Sequence, residues 1–216
     1  MELYILNEDL YFPPAETALP DGLLAIGGDL STNRLLLAYR SGIFPWYDED
    51  IPLWWCPDPR FVLLPNELKI SKSMLQLLRK QAFQFTVNKA FEQVIRHCKA
   101  ASRKGQEGTW INDDIIASYC KLHELGYAHS AEVWQDGILV GGLYGIKMGK
   151  AFFGESMFSI VSNASKYAFI KFIQSLQADG IELIDCQVYT THLESLGARM
   201  IPRTVFLQKL AALLNK

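Results

Sequence analysis

The chain has 216 residues, half of them hydrophobic, and is therefore long enough to bury the core of one large domain. The net charge of −2 excludes a protein that is strongly basic as a whole, and the four scattered cysteines, without a CxxC pair, favour neither a zinc site nor a disulfide framework. No run of about 18 apolar residues is present, and the start, MELYILNEDLYFPP, lacks the basic end of a secretory signal. We therefore expect no membrane span and a cytoplasmic location.

The charge is distributed unevenly along the chain. Residues 1–58 contain ten Asp or Glu and two Arg, a balance of −8, whereas residues 67–104 contain nine Lys or Arg and two Glu, a balance of +7. The basic segment suits either a phosphate backbone or a solvated helical surface, and it does not distinguish RNA from another polyanion. Its candidates for backbone contact are Lys72, Arg79, Lys80 and Lys89.

The first part of the chain predicts a small irregular lobe over residues 1–62. It is rich in turn signals, and one helix is predicted between Ser31, as its N-cap, and Gly42, just past its end. Residues 61–65 (FVLLP) then predict a strand that leads into the second domain. A helix from Ser71, a strand over 83–87 and a helix capped by Asn88 and running to about Ser102 follow.

The second predicted domain spans residues 63–216. From 110 onward the patterns indicate a helix after Asn112, three antiparallel strands (HSAEVW, ILVGGLYGI, AFFGESMF), a helix over 163–179, the strand IELIDCQV, a short helix at THLESLG and a last helix. This order resembles the acetyltransferase fold of the Gcn5-related type. The expected fold class is α+β, with an acetyltransferase-like C-terminal domain.

Three polar residues in strand-like segments are candidates for chemistry. Asp185 and Gln187 are two residues apart in IDCQ, so their side chains leave the same face of a strand and can share a site. Glu155 follows Gly154 in an otherwise apolar run, where a carboxylate can hold a cationic group. Each also has a plainer interpretation, as a polar strand end turning into solvent.

Aromatic residues are concentrated in turn-rich segments of the first lobe. GIFPWY (42–47) and PLWWCPDPR (52–60) suit either a small core that joins the two domains or a platform for a base or an apolar ligand, and Trp110 in GTWI has the same two interpretations.

Nine segments together resemble one enzyme family. They are GLLAIGGDLS (22–31), GIFPWY (42–47), LWWCPDPR (53–60), GTWI (108–111), LVGGLYGI (139–146), FFGESMFS (152–159), NASK (163–166), IDCQ (184–187) and HLESLGA (192–198). In this order and over nearly the whole chain, they are similar to the bacterial leucyl/phenylalanyl-tRNA-protein transferases.

The resemblance implies an aminoacyltransferase that moves Leu or Phe, and also Met, from aminoacyl-tRNA to the α-amine of proteins beginning with Arg or Lys. The new N-terminal residue marks the acceptor for degradation by the N-degron pathway. No metal or other cofactor is implied, and we expect a monomer.

The resemblance also implies roles for particular residues. Asp185 and Gln187 lie at the reacting centre, where Asp185 orients Gln187 and the Gln187 amide oxygen accepts a hydrogen bond from the attacking amine. Glu155 holds a cation, either the acceptor's side chain or a substrate α-amine. The other matches are an apolar donor pocket (Phe152 and Phe172, with Leu143 nearby, where relatives have Met) and residues around the terminal adenosine of the tRNA (Tyr39, Trp46, Trp110, Tyr119).

Two alternatives remain from the sequence. An acetyl-CoA-dependent acetyltransferase would share the fold, but ESMFSIVSNASK has no Gly-rich loop for a pyrophosphate. A tRNA-binding or peptide-binding module without catalysis would also suit the basic segment and the aromatic loops.

Overall fold

The computed structural model describes residues 3–47, 51–101 and 110–214. Within these ranges the strands are β1 (Tyr4–Leu6), β2 (Leu23–Gly27), β3 (Phe44–Pro45), β4 (Leu53–Trp55), β5 (Arg60–Leu63), β6 (Gln84–Val87), β7 (Ala128–Gln135), β8 (Ile138–Met148), β9 (Ala151–Ser159), β10 (Leu183–Gln187) and β11 (Arg199–Ile201). The α-helices are α1 (Thr32–Arg40), α2 (Lys72–Arg79), α3 (Phe91–Ala100), α4 (Asp113–Glu124), α5 (Ala164–Ala178), α6 (Thr191–Glu194) and α7 (Arg203–Leu214).

The beginning of the chain forms a small four-stranded sheet in the order β1-β2-β4-β3. The helix predicted after Ser31 is confirmed as α1, because the Ser31 hydroxyl accepts a hydrogen bond from the Arg34 N–H at 3.3 Å. Gly42 follows the helix with φ +72°. The sheet itself was not predicted, since its strands are short and turn residues separate them.

The larger sheet has seven strands in the order β11-β5-β10-β9-β8-β7-β6. The predicted meander is confirmed, because β7, β8 and β9 pair antiparallel in succession. Helix α5 then crosses the sheet and returns the chain to β10, which pairs parallel with β9. The α+β fold class and its Gcn5-related strand order are therefore present. The edge strand β11 was not predicted.

Two adjacent glycines explain how helices cover both faces of this sheet. A Cβ on Gly141 would lie 2.6 Å from the Cβ of Ala164 in α5, whereas a Cβ on Gly142 would approach Val94 in α3 and the carbonyl oxygen of Ala131. Because neighbouring strand residues face opposite ways, α5 packs on one face and α3 on the other.

The predicted N-cap of α3 is wrong. The helix begins at Phe91 with Ala90 as its N-cap, and Asn88 instead adopts φ +59° and bridges to strand β7, accepting from the Ser130 N–H at 2.9 Å. The buried carboxylate of Glu132 accepts from the N–H groups of Lys89 and Ala90 at 3.2 and 3.4 Å, so a distant side chain satisfies donors at this helix start. The predicted helix end at Ser102 lies outside the described residues.

The division into domains stays a prediction. The boundary expected between residues 62 and 63 falls within β5, which belongs to the large sheet. Among the described helices, none combines the length and the apolar character needed to cross a membrane.

Candidate active site

A cleft of about 630 Å³ opens where strands β9 and β10 stop pairing. The last register partners are Phe153 and Asp185, and the residues that follow in each strand line the cleft. Four predicted apolar or aromatic residues line it (Trp46, Trp110, Leu143, Phe152), as do the three polar ones (Glu155, Asp185, Gln187). The structure thus gathers most of the predicted site in one place.

The half-buried Glu155 carboxyl contacts three side chains. The Tyr39 hydroxyl lies 2.8 Å from Oε1, the Tyr119 hydroxyl lies 3.2 Å from Oε2, and Gln187 Nε2 donates to Oε1 at 2.9 Å. The two tyrosine hydroxyls also hydrogen-bond to each other. The hydroxyls and the carboxyl therefore form a closed triangle of three contacts, while the two tyrosines supply only two hydrogens. A protonated, neutral Glu155 carboxyl would supply the third hydrogen.

The environment of Glu155 makes this neutral form about as populated as the ionised form near neutral pH. Burial raises the pKa of Glu155 from its ordinary value of 4.5 to about 7, although hydrogen bonds from Tyr39 and Tyr119 lower it in part. The nearby negative charge of Asp185 raises the pKa further. The same burial raises the pKa of both tyrosines well above 10.0, so these hydroxyls stay protonated.

Gln187 occupies an irregular position at the end of β10. The register with β5 shifts between Asp185 and Gln187, and Gln187 adopts φ +63°. Its backbone N–H donates to Asp185 Oδ1 at 2.9 Å, so Asp185 contacts Gln187 through the main chain. Because Gln187 Nε2 is directed at Glu155, the amide oxygen is left as an acceptor for another group.

Arg60 is the main residue of the site that the sequence interpretation missed. Its Nε and Nη2 donate to the two oxygens of Asp185 at 2.8 and 2.6 Å, and both side chains are buried. The guanidinium lies 4.7 Å from the Phe44 ring centroid and 4.5 Å from that of Phe206. The sequence signal that could have identified this residue was a single Arg directly before the apolar segment FVLLP (61–65).

The apolar side of the cleft agrees in character with the predicted donor pocket. Leu143 and Phe152 line the cleft and are almost fully buried. Phe172 of α5 packs edge-on against Phe152, with ring centroids 5.1 Å apart, so it supports the wall from behind. The wall is therefore a packed aromatic and aliphatic surface.

The four residues expected around the terminal adenosine divide into two pairs. Trp46 and Trp110 line the cleft. Tyr39 and Tyr119 are fully buried, and their hydroxyls contact Glu155 rather than an open surface. Trp46 is partly exposed and open to stacking on a base, whereas Trp110 is only 7% exposed. The tyrosines contact Glu155 instead.

The four candidate phosphate-binding residues are exposed, but they are not on one helix. Lys72, Arg79 and Lys80 lie in or next to α2, which packs on α5. Lys89 precedes α3, which covers the opposite face of the sheet. Two further basic residues of the segment, Arg103 and Lys104, lie outside the described residues.

Comparison with known proteins gives a consistent result. The model of the family described as leucyl/phenylalanyl-tRNA protein transferase matches residues 62–211. A second model, described as the N-terminal domain of that transferase, matches residues 28–58. A leucyl/phenylalanyl-tRNA--protein transferase of Flavobacterium johnsoniae is 57% identical over 95% of this chain and 97% of its own length. One from Nitrosospira multiformis is 55% identical over 97% of this chain and 91% of its own length.

Solved structures are much more distant. A GCN5-related N-acetyltransferase-like protein from Streptococcus suis is 12% identical, with a TM-score of 0.39 over 82% of this chain and 68% of its own. L-PGS from Bacillus licheniformis is 14% identical, with a TM-score of 0.42 over 78% of this chain and 54% of its own. Sequence identities and TM-scores this low carry no information about the activity of this chain.

The sequence matches define an enzyme of the aminoacyltransferase class. The chain belongs to the leucyl/phenylalanyl-tRNA-protein transferase family.

Proposed function

We propose that this enzyme transfers Leu or Phe, and also Met, from aminoacyl-tRNA to the α-amine of proteins that begin with Arg or Lys. The observation that carries the proposal is one cleft in which an apolar wall adjoins the hydrogen-bonded pair Glu155 and Gln187. The wall suits a donor side chain that is aromatic, or aliphatic without a branch at Cβ, and the polar pair suits an amine. Charged tRNA is made in the cytoplasm, so we expect the enzyme to act there, as a monomer, and to mark its products for the N-degron pathway.

The proposed reaction needs little covalent chemistry from the protein. The neutral amine attacks the ester carbonyl carbon, a C–N bond forms, the C–O bond to the ribose breaks, and one proton passes from nitrogen to the leaving ribose oxygen. An α-amine has a pKa of about 7.7 to 8.0, so part of it is neutral near pH 7. Holding the amine and the ester in attack geometry supplies much of the acceleration.

Gln187 is proposed to position the amine. Because its Nε2 is occupied by Glu155, its Oε1 is available to accept a hydrogen bond from the amine. An amide oxygen is too weakly basic to remove a proton, so the role is orientation. Asp185, fixed by Arg60, holds the backbone of Gln187 in the required place.

Glu155 is proposed to hold the acceptor's α-ammonium and to take up its proton. The Gln187 amide Nε2 donates to Oε1 of the Glu155 carboxyl, so the two side chains are adjacent. A group that binds both of them therefore lies at the reacting centre. With a pKa raised to about 7, Glu155 is close in proton affinity to the amine. Recognition of the acceptor's Arg or Lys side chain by Glu155 is the competing assignment.

The proposed tRNA contacts are of two kinds. The partly exposed Trp46 suits stacking on the terminal adenosine, with the largely buried Trp110 beside it in the cleft. The exposed cations Lys72, Arg79, Lys80 and Lys89 suit the phosphate backbone, which is read by charge and shape rather than by sequence.

The deciding experiment is transfer of radiolabelled Leu or Phe from charged tRNA to a peptide that begins with Arg. A matched peptide beginning with Ala and a parallel reaction with acetyl-CoA are the controls. Transfer to the Arg peptide alone is expected. Acetylation without aminoacyl transfer would contradict the proposal in favour of an acetyltransferase, and tight tRNA binding without any transfer would favour a non-catalytic module.

A further inference from the structure

Three exposed apolar side chains lie beside the cleft. The exposed fractions are 41% for Val188, 46% for Tyr189 and 43% for Met200. The Tyr189 ring centroid lies 5.4 Å from that of the buried Phe61, and Met200 is the register partner of Phe61 in the adjacent strand. Register partners in antiparallel strands project from the same face, so Tyr189 and Met200 both adjoin Phe61. We call Val188, Tyr189 and Met200 the apolar ledge.

The apolar ledge continues directly from the reacting centre. Val188 follows Gln187 in the chain, and both residues line the cleft together with Thr190. A chain that leaves the cleft on the Gln187 side therefore passes over Val188 first. Tyr189 and Met200 lie further out, at the β11 edge of the large sheet.

The charges around the apolar ledge do not suit a nucleic acid. The Tyr189 hydroxyl donates to the Glu194 carboxylate at 2.7 Å, which places a negative charge at its side. The nearby cation Arg199 is neutralised by Glu67, with its Nε 3.0 Å from Oε2. A phosphate backbone would meet a carboxylate and no unpaired cation among these residues, whereas a polypeptide with an apolar side chain would bury the exposed surface.

We propose that the apolar ledge binds the second residue of the acceptor polypeptide and favours an apolar side chain there. The inference rests on the proposed function, because it assumes that the acceptor's first residue brings its amine to Gln187 and Glu155. Consecutive Cα atoms are about 3.8 Å apart, so the second residue of such an acceptor lies next to Val188.

The test compares two peptides that differ only at the second position, Arg-Phe and Arg-Gly, with saturating charged tRNA. We expect the wild-type kcat/KM to be about tenfold higher for Arg-Phe, a ratio typical of one apolar side chain entering a site. In Tyr189→Ala and Met200→Ser the ratio should fall toward one. Ile138→Ser is the matched control, because Ile138 is 65% exposed at the start of β8, on a strand remote from β11, and it should keep the wild-type ratio.

Several results would overturn the inference while leaving the proposed function intact. One is transfer to both peptides by the wild type with a kcat/KM ratio near one. Another is a wild-type ratio that both ledge variants keep. A third is a ratio that falls in Ile138→Ser as much as in the ledge variants. A dimer of the wild-type chain that the ledge variants lose, with the ratio unchanged, would assign the surface to self-association. If the ledge variants had a higher KM for charged tRNA and an unchanged peptide ratio, the surface would be assigned to binding of the donor tRNA. Absence of transfer to either peptide would instead contradict the proposed function, and the inference with it.

Discussion

Arg60 and Asp185, 125 residues apart in the sequence, form a bidentate ion pair that is fully buried beneath the cleft. The pair joins β5 to β10, and its guanidinium is enclosed by aromatic rings from β3 and α7. It therefore connects the small sheet, the large sheet and the last helix at the point where Gln187 is positioned.

Removing only one partner of this pair should destabilise the fold. Arg60→Met leaves the Asp185 charge buried and unpaired, and we expect the free energy of unfolding to fall by about 3 to 5 kcal/mol. The double substitution Arg60→Met with Asp185→Leu removes both charges and should recover part of that loss. Urea unfolding followed by circular dichroism measures both effects. Equal stability of the single and double variants would show that the ion pair is not the cause.

Asp185→Asn should reduce turnover more than tRNA affinity. The substitution keeps the shape of the side chain but weakens the contact with Arg60, and so loosens the backbone that positions Gln187. We expect kcat to fall about 10- to 100-fold, because small displacements of a positioning group have effects of that size, while the KM for charged tRNA stays within about twofold. An unchanged kcat would remove Asp185 from the mechanism.

Glu155 should produce a pH dependence of activity near pH 7. If its ionised form accepts the amine proton, kcat/KM rises with pH through about 7, where this carboxyl titrates. Glu155→Gln should remove that inflection and leave only the titration of the peptide amine. The same variant tests acceptor recognition, since loss of discrimination between Arg-initial and Ala-initial peptides would assign Glu155 to the acceptor's side chain instead.

Glu155 should also make stability depend on pH in a defined direction. Between about 4.5 and about 7 the folded protein retains the Glu155 proton that the unfolded chain has released. The free energy of unfolding therefore falls as the pH rises across this interval and is lowest above it. Glu155→Gln should lack this contribution, which thermal unfolding at pH 5 and pH 8 would reveal. An identical pH slope in the variant would contradict the raised pKa.

The buried tyrosines provide a test that separates hydrogen bonding from base stacking. Tyr39→Phe keeps the ring and deletes one hydrogen bond to Glu155, so the pKa of Glu155 should rise and the activity inflection should move to higher pH. The KM for charged tRNA should not change. Trp46→Ala is the contrasting variant, because Trp46 is partly exposed in the cleft, and it should have a higher KM and an unmoved inflection. A higher KM in Tyr39→Phe would favour contact of Tyr39 with the tRNA.

The basic residues of α2 should govern the salt dependence of tRNA binding. Each phosphate contact contributes about 0.7 to 0.9 to the slope of log affinity against log salt concentration, so Arg79→Ala and Lys80→Ala should each reduce the slope by about that amount. Lys121→Ala is the control, because Lys121 lies on α4 and is exposed but paired with Glu124 at 2.9 Å. An equal effect of all three substitutions would indicate a general charge effect.

Local patterns in the sequence determined much of the fold. Alternating apolar residues predicted β7, β8 and β9. The caps at Ser31 and Asn112 and the helix start at Ser71 predicted the beginnings of α1, α4 and α2, because these signals act between residues close in the chain. Spacing and family resemblance also singled out Glu155, Asp185 and Gln187, whose proposed roles remain to be tested.

Contacts between distant segments were decided only by the tertiary structure. The start of α3 is satisfied by Glu132 from β7 and not by the neighbouring Asn88, and Asp185 is fixed by Arg60 from another strand. Tyr39 is buried against Glu155, which lies 116 residues away. Such pairings depend on how whole helices and strands pack together. The burial and the pKa of Glu155 depend on the same packing, because most of the residues around a buried side chain are far away in the sequence.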